Sequence, residues 1–236
     1  MIKAAIEKLE EMMLPNIRII DNNRTYSDKQ LFPVKEAVVD KIVISTLTGL
    51  VDYIKSNVDQ LVSDKMFIHV GNHDRVYLRS TLYGTFLQRG IYVEVEAMTP
   101  AIFFKKRMDV ESFIIQLQSM FVKTAERGNL LKFLGSLKAG FSKEMNDDGV
   151  SQTVTAKTGI TTVGKIAVPN PVTLQPYRTF SEIEQPASDF VFRIHGGEDE
   201  PACALYEADG GAWKLEAIQR VAAWIKEKLP EVAVIA

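Results

Sequence analysis

Residues 45–97 read STLTGLVDYIKSNVDQLVSDKMFIHVGNHDRVYLRSTLYGTFLQRGIYVEVEA, and their hydrophobic period changes from helical to alternating partway through. Leu47, Leu50, Val51, Ile54, Val58 and Leu61 recur at helical spacing, which predicts a helix over 46–62 capped by Ser45 or Thr46. Two strands follow, Met66–Val70 and Arg75–Leu82, with Gly71-Asn72-His73-Asp74 as the turn between them. Gly90 precedes a third strand over 91–97, where Ile91, Val93 and Val95 alternate with Tyr92, Glu94 and Glu96. A helix leading into a small antiparallel sheet points to an α+β fold.

Working outward, the N-terminal side carries a short amphipathic helix over 2–13, with Ile2, Ile6, Leu9 and Met13 as its stripe. Pro15 ends it, Ile17–Ile20 is a short strand, and Asp21-Asn22-Asn23 is a turn. On the C-terminal side, residues 109–122 form a helix capped by Asp109, and a second runs from about Glu126 to Lys138, with Gly140 as its stop. The chain then turns to Thr, Val and Pro. Val150 to Thr158, Ile166–Val168 and Val172–Tyr177 read as extended, with Pro169, Pro171 and Pro176 placing the last two on edges or bends. Phe190–Ile194 and Cys203–Glu207 are two more strands, joined by the acidic turn 196–200. A helix over 212–229 closes the chain, with Asp209 as cap and Leu215, Ile218, Ala222, Ile225 and Leu229 as its buried stripe. The expected fold is thus an N-terminal αβ unit and helical pair, then an antiparallel sheet covered by a C-terminal helix. The expected division is 1–140 and 141–236, or one continuous domain.

Composition narrows the function classes. Apolar residues are 46% and charged residues 25%, which excludes a disordered chain. The net charge of −2 shows no overall preference for nucleic acid or membrane, but it is unevenly placed. Residues 1–64 carry 8 basic and 10 acidic side chains, residues 65–143 carry 12 and 6, and residues 144–236 carry 8 and 14. A basic middle and an acidic last third favour head-to-tail self-association. The single cysteine, Cys203, excludes an intramolecular disulfide and fits a reducing cytoplasm. No run of 18 apolar residues spans a bilayer, and residues 1–15 lack a signal peptide's apolar core, so a cytoplasmic protein without a membrane partner is expected.

Catalytic patterns are missing. There is no Gly-x-Ser-x-Gly elbow, no HExxH and no phosphate loop. His69 and His73 flank a strand-to-turn junction, where a spacing of four does not converge on a metal. Glu182/Glu184 and Glu198-Asp199-Glu200 leave a metal nuclease as a trailing alternative. No cofactor is expected. The patch that carries chemistry is Phe103-Phe104-Lys105-Lys106-Arg107, because rings beside cations can stack bases while meeting phosphates. Tyr177-Arg178 adds a similar pair. Half-buried strands produce the same alternation of ring and cation, with Phe103 in the core.

Three stretches carry a resemblance. They are Thr46 to Tyr53, Asp147 to Gly159, and the run from Pro169 through Tyr177-Arg178-Thr179-Phe180 and Glu182 to Pro186 on to Ala204–Trp213. They resemble uncharacterised phage and prophage proteins of Gram-positive bacteria, and the order of elements is distantly similar to the YfdQ-type prophage family. The resemblance implies a phage accessory role near replication and recombination functions, and it transfers no catalytic residue. The expectation is a non-enzymatic, self-associating protein of phage DNA metabolism that touches single-stranded DNA or a recombination partner. The alternative is a host-takeover or anti-defence protein that binds a host protein or a small ligand.

Overall fold

A computed structural model describes residues 2–20, 24–27, 37–147, 152–158, 162–196 and 201–236. The turn expected at Asp21–Asn23, and the acidic turn from residue 197 to Glu200, lie outside them. The chain divides into two compact units, Met1–Val38 with Gly84–Phe86, and Val39–Tyr83 with Leu87–Ala236. The first holds helix α1 (Ile2–Met13) and an antiparallel hairpin of β1 (Ile17–Ile20) and β2 (Arg24–Ser27), with Ile17 opposite Ser27.

The second unit begins with β3 (Ile42–Ile44), α2 (Leu47–Ser56), β4 (Met66–Val70), β5 (Arg75–Ser80) and β6 (Ile91–Glu96). The Thr46 hydroxyl accepts the Gly49 N–H at 3.1 Å, which fixes where α2 starts. The helix stops at Ser56 and not at residue 62, because Asn57 takes the left-handed conformation at φ +46° and Val58 beyond it is exposed. Met66, Ile68, Val70, Val76, Leu78, Val93 and Val95 all point to one face of the sheet and are buried there.

Next come the two-residue β7 (Met108–Asp109), α3 (Val110–Met120), α4 (Ala125–Gly140), β8 (Phe141–Asp147), β9 (Gln152–Thr158) and β10 (Thr162–Ala167). Then follow β11 (Val172–Leu174), β12 (Ser188–His195), β13 (Ala202–Glu207), α5 (Ala212–Lys228) and β14 (Ala233–Ile235). Strands β8–β10 form a three-stranded antiparallel sheet of their own. The fold is α+β, as the periodicities imply.

Two cores organise this unit. The three predicted strands β4–β6 gain parallel partners at both edges, giving the order β14-β4-β5-β6-β3. Leu47 and Leu50 of α2, with Val221, Ile225 and Leu229 near the end of α5, cover its apolar face. The second sheet is antiparallel in the order β11-β12-β13-β7, and the proline-flanked β11 is one of its edges. Phe113 and Leu117 of α3 and Leu130, Leu134 and Leu137 of α4 pack on Phe192, Ile194 and Leu205 of that sheet. The helical pair α3–α4 and the sheet β11-β12-β13-β7 share one apolar core, which spans the expected division between residues 140 and 141.

The stripe of α5 also differs from expectation at one end. Leu215 is 62% exposed, because the buried side drifts toward Trp213 and Ala217 as the helix approaches its N-terminus. The capping position falls at Gly211, at φ +84° and two residues after Asp209. Asp209 Oδ1 accepts the Gly211 N–H at 3.0 Å, and its carboxylate also takes a hydrogen bond from the Trp213 backbone N–H in the first turn.

Candidate nucleic-acid interface

The segment 103–109 runs beside β13. Lys105 N–H donates to the Leu205 carbonyl at 2.8 Å, and Met108 and Asp109 continue the ladder opposite Cys203 and Ala202. Lys105 takes φ +60°, a left-handed conformation that costs an L-residue about 1–2 kcal/mol. The two rings of the segment part company. Phe104 packs into the second core and stacks on Phe190, with centroids 5.4 Å apart and planes 14° from parallel. Phe103 stays 48% exposed, with Lys106 Nζ 4.7 Å from its ring centroid. Its backbone is tied to α3, since buried Gln116 accepts the Phe103 N–H at 2.9 Å through Oε1.

A groove lies on each side of this segment. One, of about 500 Å³, is lined by Phe103, Lys106, Arg107, Ile115, Gln116 and Met120, among others. The other, of about 510 Å³, is lined by Arg107, Val191, Arg193, His195, Gly196 and Tyr206, among others. Arg107 lines both. Tyr177 is 40% exposed, and its N–H donates to the Met120 carbonyl at 3.0 Å, at the end of α3 that borders the first groove.

Of the seven residues singled out in the sequence, five present surface here: Phe103, Lys105, Lys106, Arg107 and Tyr177. Phe104 belongs to the core. Arg178 is buried as well, with Thr179 and Phe180 after it, while Tyr177 stays outside. The guanidinium donates to Glu207 Oε1 at 2.8 Å and Ser188 Oγ at 2.5 Å, and lies 3.8 Å from the centroid of Trp213. Burial lowers its pKa to about 10, with Glu207 and Asp209 pulling upward, so it stays charged at neutral pH. It is a structural clip, shielded from any phosphate.

Arg193 and Tyr206 were not singled out in the sequence, although the signal is there. Along β12, Phe190, Phe192 and Ile194 are buried while Val191, Arg193 and His195 alternate outward. The Gln152 side chain closes that strand's far end, donating to the Ile194 carbonyl at 3.1 Å and accepting its N–H at 3.0 Å.

Glu182, Glu184, His69 and His73 each have a neighbour in the fold. Glu182 Oε1 accepts the Thr48 N–H at 3.1 Å, and Glu184 pairs with Arg220 at 3.1 Å. Glu198, Asp199 and Glu200 lie outside the described residues. His69 lies beside Tyr77, and His73 meets Trp213 edge-on at 4.7 Å. The Cys203 thiol is fully buried, and burial followed by the charge of Asp109 pushes its pKa up to about 12. Among the described residues, no group of three or more His, Cys, Asp or Glu side chains could hold a metal ion. Among them too, no helix is long and apolar enough to cross a membrane. No family model, no curated protein and no solved structure matches the chain.

Proposed function

We propose that this is a non-enzymatic, self-associating accessory protein of phage DNA metabolism, working in the cytoplasm of a bacterial host and binding single-stranded DNA along residues 103–107. The observation that carries the reading is an exposed Phe103 ring beside Lys106 and Arg107, on a segment flanked by two grooves. A base can stack on the ring while the cations meet phosphates on either side. Affinity at physiological salt is weak, because the whole chain carries −2.

Fluorescence anisotropy of a labelled oligo-dT across a salt series tests this. Replacing Lys105, Lys106 and Arg107 by Ala flattens the salt dependence by roughly 0.7 log units for each phosphate that is no longer neutralised. Phe103→Ala costs about 1–3 kcal/mol of binding and leaves the slope unchanged. Both variants keep the parent's melting temperature, since these side chains are exposed. Absence of binding by the parent at about 50 mM salt would sink the proposal.

The apolar half of the same surface supports a second reading. Ile115, Phe103 and Met120 line one groove, and such a patch suits a host or phage protein, in host takeover or anti-defence. Salt-insensitive binding of a protein partner, abolished in Ile115→Asp, is the result that favours it.

A further inference from the structure

Helix α1 has 12 residues, and none of them is buried. Isolated helices of this length are marginal in water even with good helix formers. Ile2, Ile6, Leu9, Met12 and Met13 are 50–79% exposed. Together with Ala5 they fall on one side of the helix, at spacings of three and four. A contiguous apolar face of this kind marks a contact surface.

We propose that this face pairs with the same helix of a second copy, in antiparallel orientation. Charge selects the occupant and the direction. Lys3 and Glu10 are seven residues apart, so they share one border of the apolar face, two turns from each other. In an antiparallel pair crossing near its centre, Lys3 of each copy lies alongside Glu10 of the other, and the two-fold axis forms that ion pair twice. In a parallel pair the two copies of this border lie on opposite sides of the seam, so Lys3 and Glu10 do not reach each other and the ion pair is lost. The remaining lysine, Lys8, is already held within its own helix by Glu11 at 2.6 Å. An anionic membrane surface is the poorer fit, because α1 carries two lysines against three glutamates. The helix pair rests on the self-association proposed above, giving it a surface and a direction, and uses none of the residues assigned to DNA binding. A monomeric parent would end both, whereas an unchanged mass in Leu9→Glu would end the helix pair alone.

Light scattering on the full chain at micromolar concentration tests it. The expected mass is twice the 26.5 kDa of one chain. Leu9→Glu, at an exposed position, returns the mass to one chain while circular dichroism of the rest is retained. Lys3→Glu alone and Glu10→Lys alone each weaken association by roughly 3- to 30-fold, the scale of two exposed ion pairs. The double variant Lys3→Glu/Glu10→Lys restores it. A monomeric parent, or an unchanged mass in Leu9→Glu, would overturn the pairing. Failure of the double variant to restore association would overturn the antiparallel direction. Binding of the parent to phosphatidylglycerol vesicles without self-association would hand the face to a membrane.

Discussion

Arg178 and Cys203 show how far a residue's role depends on what it is folded against. Arg178 reads in sequence as the cation beside Tyr177, yet its aromatic partner is Trp213, with Glu207 accepting from both the guanidinium and the indole N–H. Removing one member of a buried ion pair costs about 3–5 kcal/mol when both are desolvated. Glu207 remains partly in solvent, so Arg178→Ala should cost about 2–3 kcal/mol, read as a lowered urea midpoint. Arg178→Lys should recover part of this, because it keeps the charge and loses the fork and the flat stack on Trp213. Cys203 should resist a thiol reagent in the folded protein at pH 8 and react at once in denaturant. Its pKa near 12 and its burial remove both thiolate and access. Fast labelling of the native chain would contradict the placement of β13.

At the scale of elements, the helix starts are local and the helix faces are not. Thr46 and Asp109 each accept a backbone N–H three residues on, a contact written in the sequence. Thr46→Ala should destabilise by about 1 kcal/mol in chemical unfolding, the usual worth of such a cap. The face of α5 is a separate matter. Ile225→Ala should cost about 2–5 kcal/mol, since Ile225 is fully buried in the first core. Leu215→Ala should stay within about 0.5 kcal/mol, as surface changes do. Equal losses at the two positions would show that the helix is rotated from the placement described. Periodicity alone puts both residues on one stripe, because it assumes a straight contact along the whole helix.

For the whole molecule, the pH dependence of stability separates into two windows. His69 and His73 titrate below the ordinary histidine value of 6.5, chiefly because burial disfavours the charged ring. Arg79 adds to this at His69. At His73, Asp74 opposes the shift while Lys214 and Arg178 reinforce it. The unfolded chain therefore takes up these protons at higher pH than the folded one. Their contribution is whole above 6.5 and is lost as the pH falls through 6.5 toward the folded values. Asp109 titrates below 3.8, chiefly through its hydrogen bond from the Ser112 hydroxyl, so its contribution persists to that point and disappears only in stronger acid. Thermal melts should decline first as the pH falls below about 6.5, and His73→Asn should flatten that decline. A profile that is flat to pH 4 would contradict the half-buried setting of His73.

The α+β class, the strands within 45–97 and the caps Thr46 and Asp109 are legible in the sequence alone. All of these follow from contacts within a few residues, where period and capping chemistry act. Long-range packing sets β3 and β14 in parallel at the edges of β4–β6 and gives the helical pair a core shared with β11–β13. It alone turned Phe104 and Arg178 inward while leaving Phe103 and Tyr177 outside. A ring or a guanidinium on a half-buried segment can face either way, and the partners that select the inner face, Phe190 and Trp213, lie tens of residues further along the chain.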